Sequence, residues 1–131
     1  MDTLKAFRIT VVLSAALFVA FWFAPWAYGL VNEEHQSLLS YHGSGAFAEF
    51  PEWWSWLFFT ATMVGYLGIL LLRKPFRTWL LAVTVVGLCI TPAYGISIIT
   101  GIEAFMLDAS SMLRGAALAM AYFSSIKGHF Y

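Results

Sequence analysis

Apolar positions fall into four long blocks, at 9–31, 53–72, 78–102 and 104–126, and polar residues gather between them. Each block reaches the about 20 residues that a helix needs to cross the hydrocarbon core. None shows the period-two alternation, in segments of about ten residues, that a lipid-embedded barrel requires. Hydrocarbon offers no partner for backbone N–H and C=O groups, so runs of this length must be helical. The pattern therefore predicts an all-α, integral membrane four-helix transmembrane bundle. It forms a single domain over 1–131, with a short loop at 32–52 between the first two helices.

Punctuation refines the blocks. Pro25 should bend or end the first helix near its far end. In the loop, "NEEHQSLLSYH" starts with Asn32 as a cap and places Glu33 and Glu34 in a first turn, which predicts a short interfacial helix. "GSG" at 43–45 breaks it, and Pro51 leads the chain into the second span. Thr91-Pro92 predicts a kink within the third block. Lys5 and Arg8 ahead of the first block imitate a signal peptide. The block is too long for one, carries Trp22 and Trp26, and lacks small cleavage-site residues around "FAPWAYG", so it is expected to be retained.

Composition agrees with the pattern: 61% of the 131 residues are hydrophobic and 11% charged, against about 25% charged in soluble domains. Charge placement adds orientation. Lys5, Arg8, Arg73, Lys74, Arg77 and Lys127 would all lie on one side of four spans, whereas Glu33, Glu34, Glu49, Glu52, Glu103 and Asp108 fall on the other. The basic side is cytoplasmic by the positive-inside rule, giving both termini inside, in a bacterial inner (cytoplasmic) membrane. Trp22, Trp26, Tyr28, Trp53, Trp54 and Trp56 would form the outer aromatic belt and Trp79 the inner one. A formal net charge of zero excludes a nucleic-acid partner. Cys89, the single cysteine, has no internal disulfide partner and is expected to serve in packing.

Small residues four apart mark close helix contacts: Ala61 and Gly65, beside Gly68, in the second block; Gly87, Thr91 and Gly95 in the third; Ser111, Gly115 and Ala119 in the fourth. Contacts among the chain's own helices would use all three stripes, and a second copy or another membrane protein is the other occupant they fit. His35 and His42, seven apart, would stand about 10 Å apart on a continuous helix, too far to share one metal with bonds near 2 Å. Neither a metal nor a cofactor is therefore expected. The chain has no nucleophile elbow, H-E-x-x-H motif, phosphate loop or cysteine pair, and no enzyme is expected from it.

Asp108 and Arg114 are the charges that the fourth block must accommodate. Six positions apart, they lie about 9 Å apart along a helix and about 120° apart around it. An arginine near the centre of a span costs about 2.5 to 3.5 kcal/mol on insertion scales, so it should face protein or water and find a neutralising group. The first expectation is an acid of this chain, Asp108, Glu103 or a loop glutamate, reached as Arg114 extends toward the outer surface and Ser110 or Ser111. An acid of another protein and an anion in a watery path are the alternatives.

By elimination, the expected function is non-catalytic binding of another membrane component besides lipid, as an accessory or assembly subunit or an immunity-type protein. The alternative is a self-associating channel or small-solute transporter with Arg114 lining an anion path.

Overall fold

The computed structural model describes residues 2–31, 33–39, 42–44 and 50–131, leaving aside the side chains at 35, 42–44 and 96. Among these residues five α-helices follow one another: α1 Thr3–Phe23, α2 Glu33–Leu39, α3 Glu52–Leu70, α4 Lys74–Ile90 and α5 Gly101–Phe123. Tighter 3₁₀ turns cover Ala24–Leu30, Thr91–Tyr94 and Ser125–His129. Two short strands, β1 His42–Ser44 and β2 Ile96–Ser97, pair antiparallel with His42 opposite Ser97 and an irregular register. Three stretches are long and apolar enough to cross a membrane, Thr3–Leu30, Glu52–Leu70 and Lys74–Tyr94, consistent with a multi-pass membrane protein. The fourth long helix, α5, has 23 residues but carries Glu103, Asp108 and Arg114.

The helix limits follow local chemistry. Thr3 opens α1, ahead of the expected 9, because the Asp2 side chain accepts a hydrogen bond from the Leu4 N–H and caps the first turn. The helix stops at Phe23, and Pro25 sits in the first turn of the 3₁₀ segment that follows. α4 begins at Lys74, with Pro75 in its first turn, where the missing N–H costs nothing. The expected continuation of the third block to 102 is not found. Pro92 removes a backbone donor and its ring opposes the Leu88 carbonyl, so α4 ends at Ile90. Gly95 then turns the chain at φ 76° into β2, and the expected kink is in fact a stop. α5 starts at Gly101, where Thr100 and Glu103 form a reciprocal capping box. The expected loop helix is α2. Asn32 and Glu49, together with the side chains of His35 and His42, lie outside the described residues.

α1 packs along α5 and α3 along α4; α1 also meets α3, and α4 touches α5 more lightly. Phe7, Val11 and Phe18 of α1, Tyr66 and Ile69 of α3, Leu80 of α4 and Ala117, Leu118 and Ala121 of α5 form one buried core. The small residues of α3 and α4 hold those two helices close. Gly65 backs onto Leu80 and Trp79, Gly68 onto the Phe76 ring and Gly87 onto the Phe58 ring. The Trp79 indole donates to the Ala61 carbonyl at 2.8 Å. Thr91 is exposed, its hydroxyl bonded back to the Gly87 carbonyl. Ser111, Gly115 and Ala119 of α5 instead face away from the other helices. Cys89 is also exposed, not packed.

The α3–α4 turn is closed by a Schellman pair, Arg73 N–H to Gly68 O and Leu72 N–H to Ile69 O. Leu72 stands where glycine usually does, at φ 57°, a left-handed conformation worth about 1–2 kcal/mol of strain. Its side chain is buried, and the chain end is bonded to the same turn, with Tyr131 N–H on Leu72 O and Lys74 N–H on Tyr131 O. The Arg73 guanidinium lies 4.7 Å from the Tyr131 ring centre, and Arg77 lies 5.0 Å from the rings of both Tyr122 and Phe130. Phe130 in turn meets Phe7 of α1 edge to face. The start of α1, the α3–α4 turn and the end of the chain thus gather at one end of the molecule.

A methyl group at Gly68 would occupy the space of the Phe76 ring, whereas one at Gly115 would meet nothing within 4 Å. Gly68→Ala should cost about 1–3 kcal/mol through overpacking. Gly115→Ala should be neutral or stabilise by up to about 1 kcal/mol through helix propensity. Thermal unfolding of the two variants in the same detergent measures the contrast.

Candidate functional site: a polar column inside the helices

One face of α5 turns inward and carries Glu103, Ser110, Arg114, Ala117, Leu118 and Ala121. Glu103 is 2% exposed and Arg114 6% exposed. Asp108 and Ser111 point the other way and are exposed. The two charges that share the fourth block therefore do not meet: the 120° between them puts one inside and the other outside.

Arg114 Nε donates to the Tyr66 hydroxyl at 2.9 Å. Its guanidinium carbon also lies 5.2 Å from the Phe18 ring centre and 5.5 Å from that of Tyr66. Ser14 Oγ and Tyr66 Oη are 2.6 Å apart, and Ser14 Oγ donates to the Ser110 carbonyl at 2.8 Å. A serine has one hydroxyl proton, already committed to Ser110, so Tyr66 must be the donor to Ser14. The result is a one-way chain: Arg114 N–H to Tyr66 O–H to Ser14 O–H to Ser110 C=O. Ser110 Oγ returns a bond to the Ser14 carbonyl at 2.9 Å, so α1 and α5 exchange two hydrogen bonds at one level.

Among the described residues no carboxylate completes this arrangement and Arg114 makes no ion pair. Where Asp108 or Glu103 was expected as the neutralising acid, a phenol and two aromatic faces stand instead, and Glu49 lies outside the described residues. A hydrogen bond to a charged group contributes about 1.5–3 kcal/mol, and a desolvated cation–π contact about 2 kcal/mol. Together these offset part of a burial penalty of several kcal/mol.

Glu103 heads the column at the opposite end of the molecule from the α3–α4 turn. One carboxylate oxygen accepts from the Tyr28 hydroxyl at 2.6 Å; the other accepts from Thr100 N–H at 2.7 Å and Thr100 Oγ1 at 2.8 Å. Beside it lies a cavity of about 470 Å³ reached by α1, α3, α4 and α5. Trp22 and Phe18 of α1, Trp54 and Phe58 of α3, and Tyr94 after α4 supply its aromatic wall. Phe18 belongs to both features, lining the cavity and stacking near Arg114.

Of the residues singled out from sequence, Glu103 and Arg114 stand on this inner face, while Asp108, Ser111, Gly115 and Ala119 form a separate outer face. Ser14 and Tyr66 carry no local signal of this role, Ser110 is expected only as a group near Arg114, and Tyr28 only as part of the outer aromatic belt. The spacing of 103, 110 and 114 is a helical stripe that the sequence already contains, and Tyr66 is the single tyrosine within 53–72. Their mutual approach joins residues 48 to 96 positions apart, which no local pattern encodes. Among the described residues no three His, Cys, Asp or Glu side chains gather as metal ligands would. Known protein families, curated proteins and solved structures offer no match to this chain.

Tyr66→Phe keeps the ring and removes the hydroxyl that accepts from Arg114 and donates to Ser14. It should destabilise the protein by about 2 kcal/mol. In Arg114→Met the same tyrosine change should cost less, because Arg114 no longer depends on it. Unfolding free energies of the two single variants and the double variant close the cycle.

Proposed function

We propose that this chain is a four-helix transmembrane bundle of a bacterial inner membrane, with both termini cytoplasmic, that binds another membrane component without catalysis. The fourth span is α5, at about 34 Å long enough to cross. Two of its charges, Glu103 and Arg114, are turned into the protein, away from lipid. The basic residues Arg73, Lys74, Arg77 and Lys127 lie at the end of the molecule where the start of α1 meets the chain terminus, which supports placing that end in the cytoplasm.

The observation that carries the binding role is the outer face of α5. Asp108, Ser111, Gly115 and Ala119 succeed one another along one stripe, all exposed, while the small residues of α3 and α4 are consumed by internal contacts. A carboxylate on a lipid-facing helix surface is costly. A partner helix that brings small residues to Gly115 and a cation or hydrogen-bond donor to Asp108 would relieve that cost. Such a face suits a chain that acts as an accessory or assembly subunit of a larger membrane complex, or as an immunity-type protein. An anion path along Arg114 draws no support from the geometry, since the guanidinium is enclosed between Phe18, Tyr66 and α5.

Two experiments test this reading. Impermeant labelling of single-cysteine variants at Glu33 and Lys74, in a Cys89→Ser background, should find the two positions accessible from opposite faces of sealed vesicles. Equal access from one face refutes the topology. In native membranes, a cysteine at Ser111 should form crosslinks that Gly115→Trp removes, whereas a cysteine at Val85 on the exposed face of α4 should not. Equal crosslinking at both positions, or none at Ser111, refutes the docking face.

A further inference from the structure

We infer that the aromatic cavity beside Glu103 binds an organic cation with apolar substituents, of the ammonium or phosphonium type. This inference does not depend on the outer face of α5, because the cavity lies between the helices.

Three observations converge on it. The space, about 470 Å³, is of the size that small-molecule sites occupy. Its wall presents the rings of Trp22, Trp54, Phe58 and Tyr94, whose faces carry negative quadrupole density and attract cations. Among the described residues its lining contains no lysine, arginine or histidine, and its one carboxylic acid is Glu103. That carboxylate is almost fully buried and accepts hydrogen bonds from Tyr28 and Thr100, yet makes no ion pair among the described residues. The capping box accounts for the contact of Glu103 with Thr100, but not for the Tyr28 bond or the aromatic wall.

Charge and shape together decide the ligand class. An anion would meet the carboxylate with no basic side chain among the described lining residues to offset it, and a small hydrated metal ion would leave the apolar wall unused. A bulky cation satisfies both, its substituents filling the space between the rings and its charge lying near Glu103. A choline headgroup and a free lipophilic cation share this chemistry.

Glu103→Gln isolates the charge, because glutamine keeps the N3 partner that a capping box needs. Tetraphenylphosphonium is the probe, followed by quenching of tryptophan fluorescence for protein in phosphatidylglycerol nanodiscs, with empty nanodiscs subtracted. Saturable binding is expected in the wild type, at least tenfold weaker binding in Glu103→Gln, and none for the anion tetraphenylborate. Ser55→Phe, which fills the cavity from α3 and leaves the Glu103 carboxylate in place, should abolish binding and covers the case in which Glu103→Gln fails to fold. Repeating the titration in phosphatidylcholine nanodiscs separates the sources: competition identifies the lipid headgroup as occupant, and unchanged affinity identifies a free cation. The inference is overturned if no saturable signal exceeds the empty nanodiscs, if tetraphenylborate binds equally well, or if either folded variant binds as the wild type does.

Discussion

The relay from Arg114 through Tyr66 and Ser14 to the Ser110 carbonyl is the constraint on which the interior depends. Each hydroxyl in it both gives and receives, so its direction is fixed by the guanidinium, which can only donate. That polarity joins three helices: α5 supplies both ends, α3 the phenol and α1 the serine. Such a series also strengthens itself, since each donor is polarised by the bond behind it. The small volume of Ser14 and Ser110 is as necessary as their hydroxyls. It lets α1 and α5 come close enough for each side chain to reach the other helix's backbone.

Around this centre the two ends of the molecule use different chemistry. At the basic end the cations lie against aromatic rings, and main-chain bonds from Tyr131 close the α3–α4 turn. The strained Leu72 is held there by burial and by those bonds, so the turn and the chain end stabilise each other. At the acidic end a carboxylate replaces the cations, and the rings enclose space instead of filling it.

Much of the helical order was legible in the sequence, because lipid-length apolar blocks leave few other conformations and prolines mark their ends. The third block was read too long. Its apolar run continues past Pro92, and hydropathy alone carries no penalty for a missing N–H, whereas the backbone does. The charges were identified correctly as the unusual feature of the fourth block, but their partners were not. Arg114 has solved its burial with a tyrosine from another helix, and a search among acids could not find it. The division of α5 into an inward face with 103, 110 and 114 and an outward face with 108, 111, 115 and 119 was implicit in the 3.6-residue period. Which face turns inward was decided only by the fit of α1 and α3.

The early end of α4 reaches beyond the loop it creates. At 17 residues α4 spans about 25 Å, against about 31 Å for the 21 residues of α1. The apolar stretches that include the following 3₁₀ turns keep the difference, 21 residues at Lys74–Tyr94 against 28 at Thr3–Leu30, so a bilayer of uniform thickness around these helices would not match both flanks. The cheapest accommodation is a leaflet that dips next to Pro92 or a tilt of the whole protein toward that side. Either would give the molecule a preferred neighbour in thinner lipid.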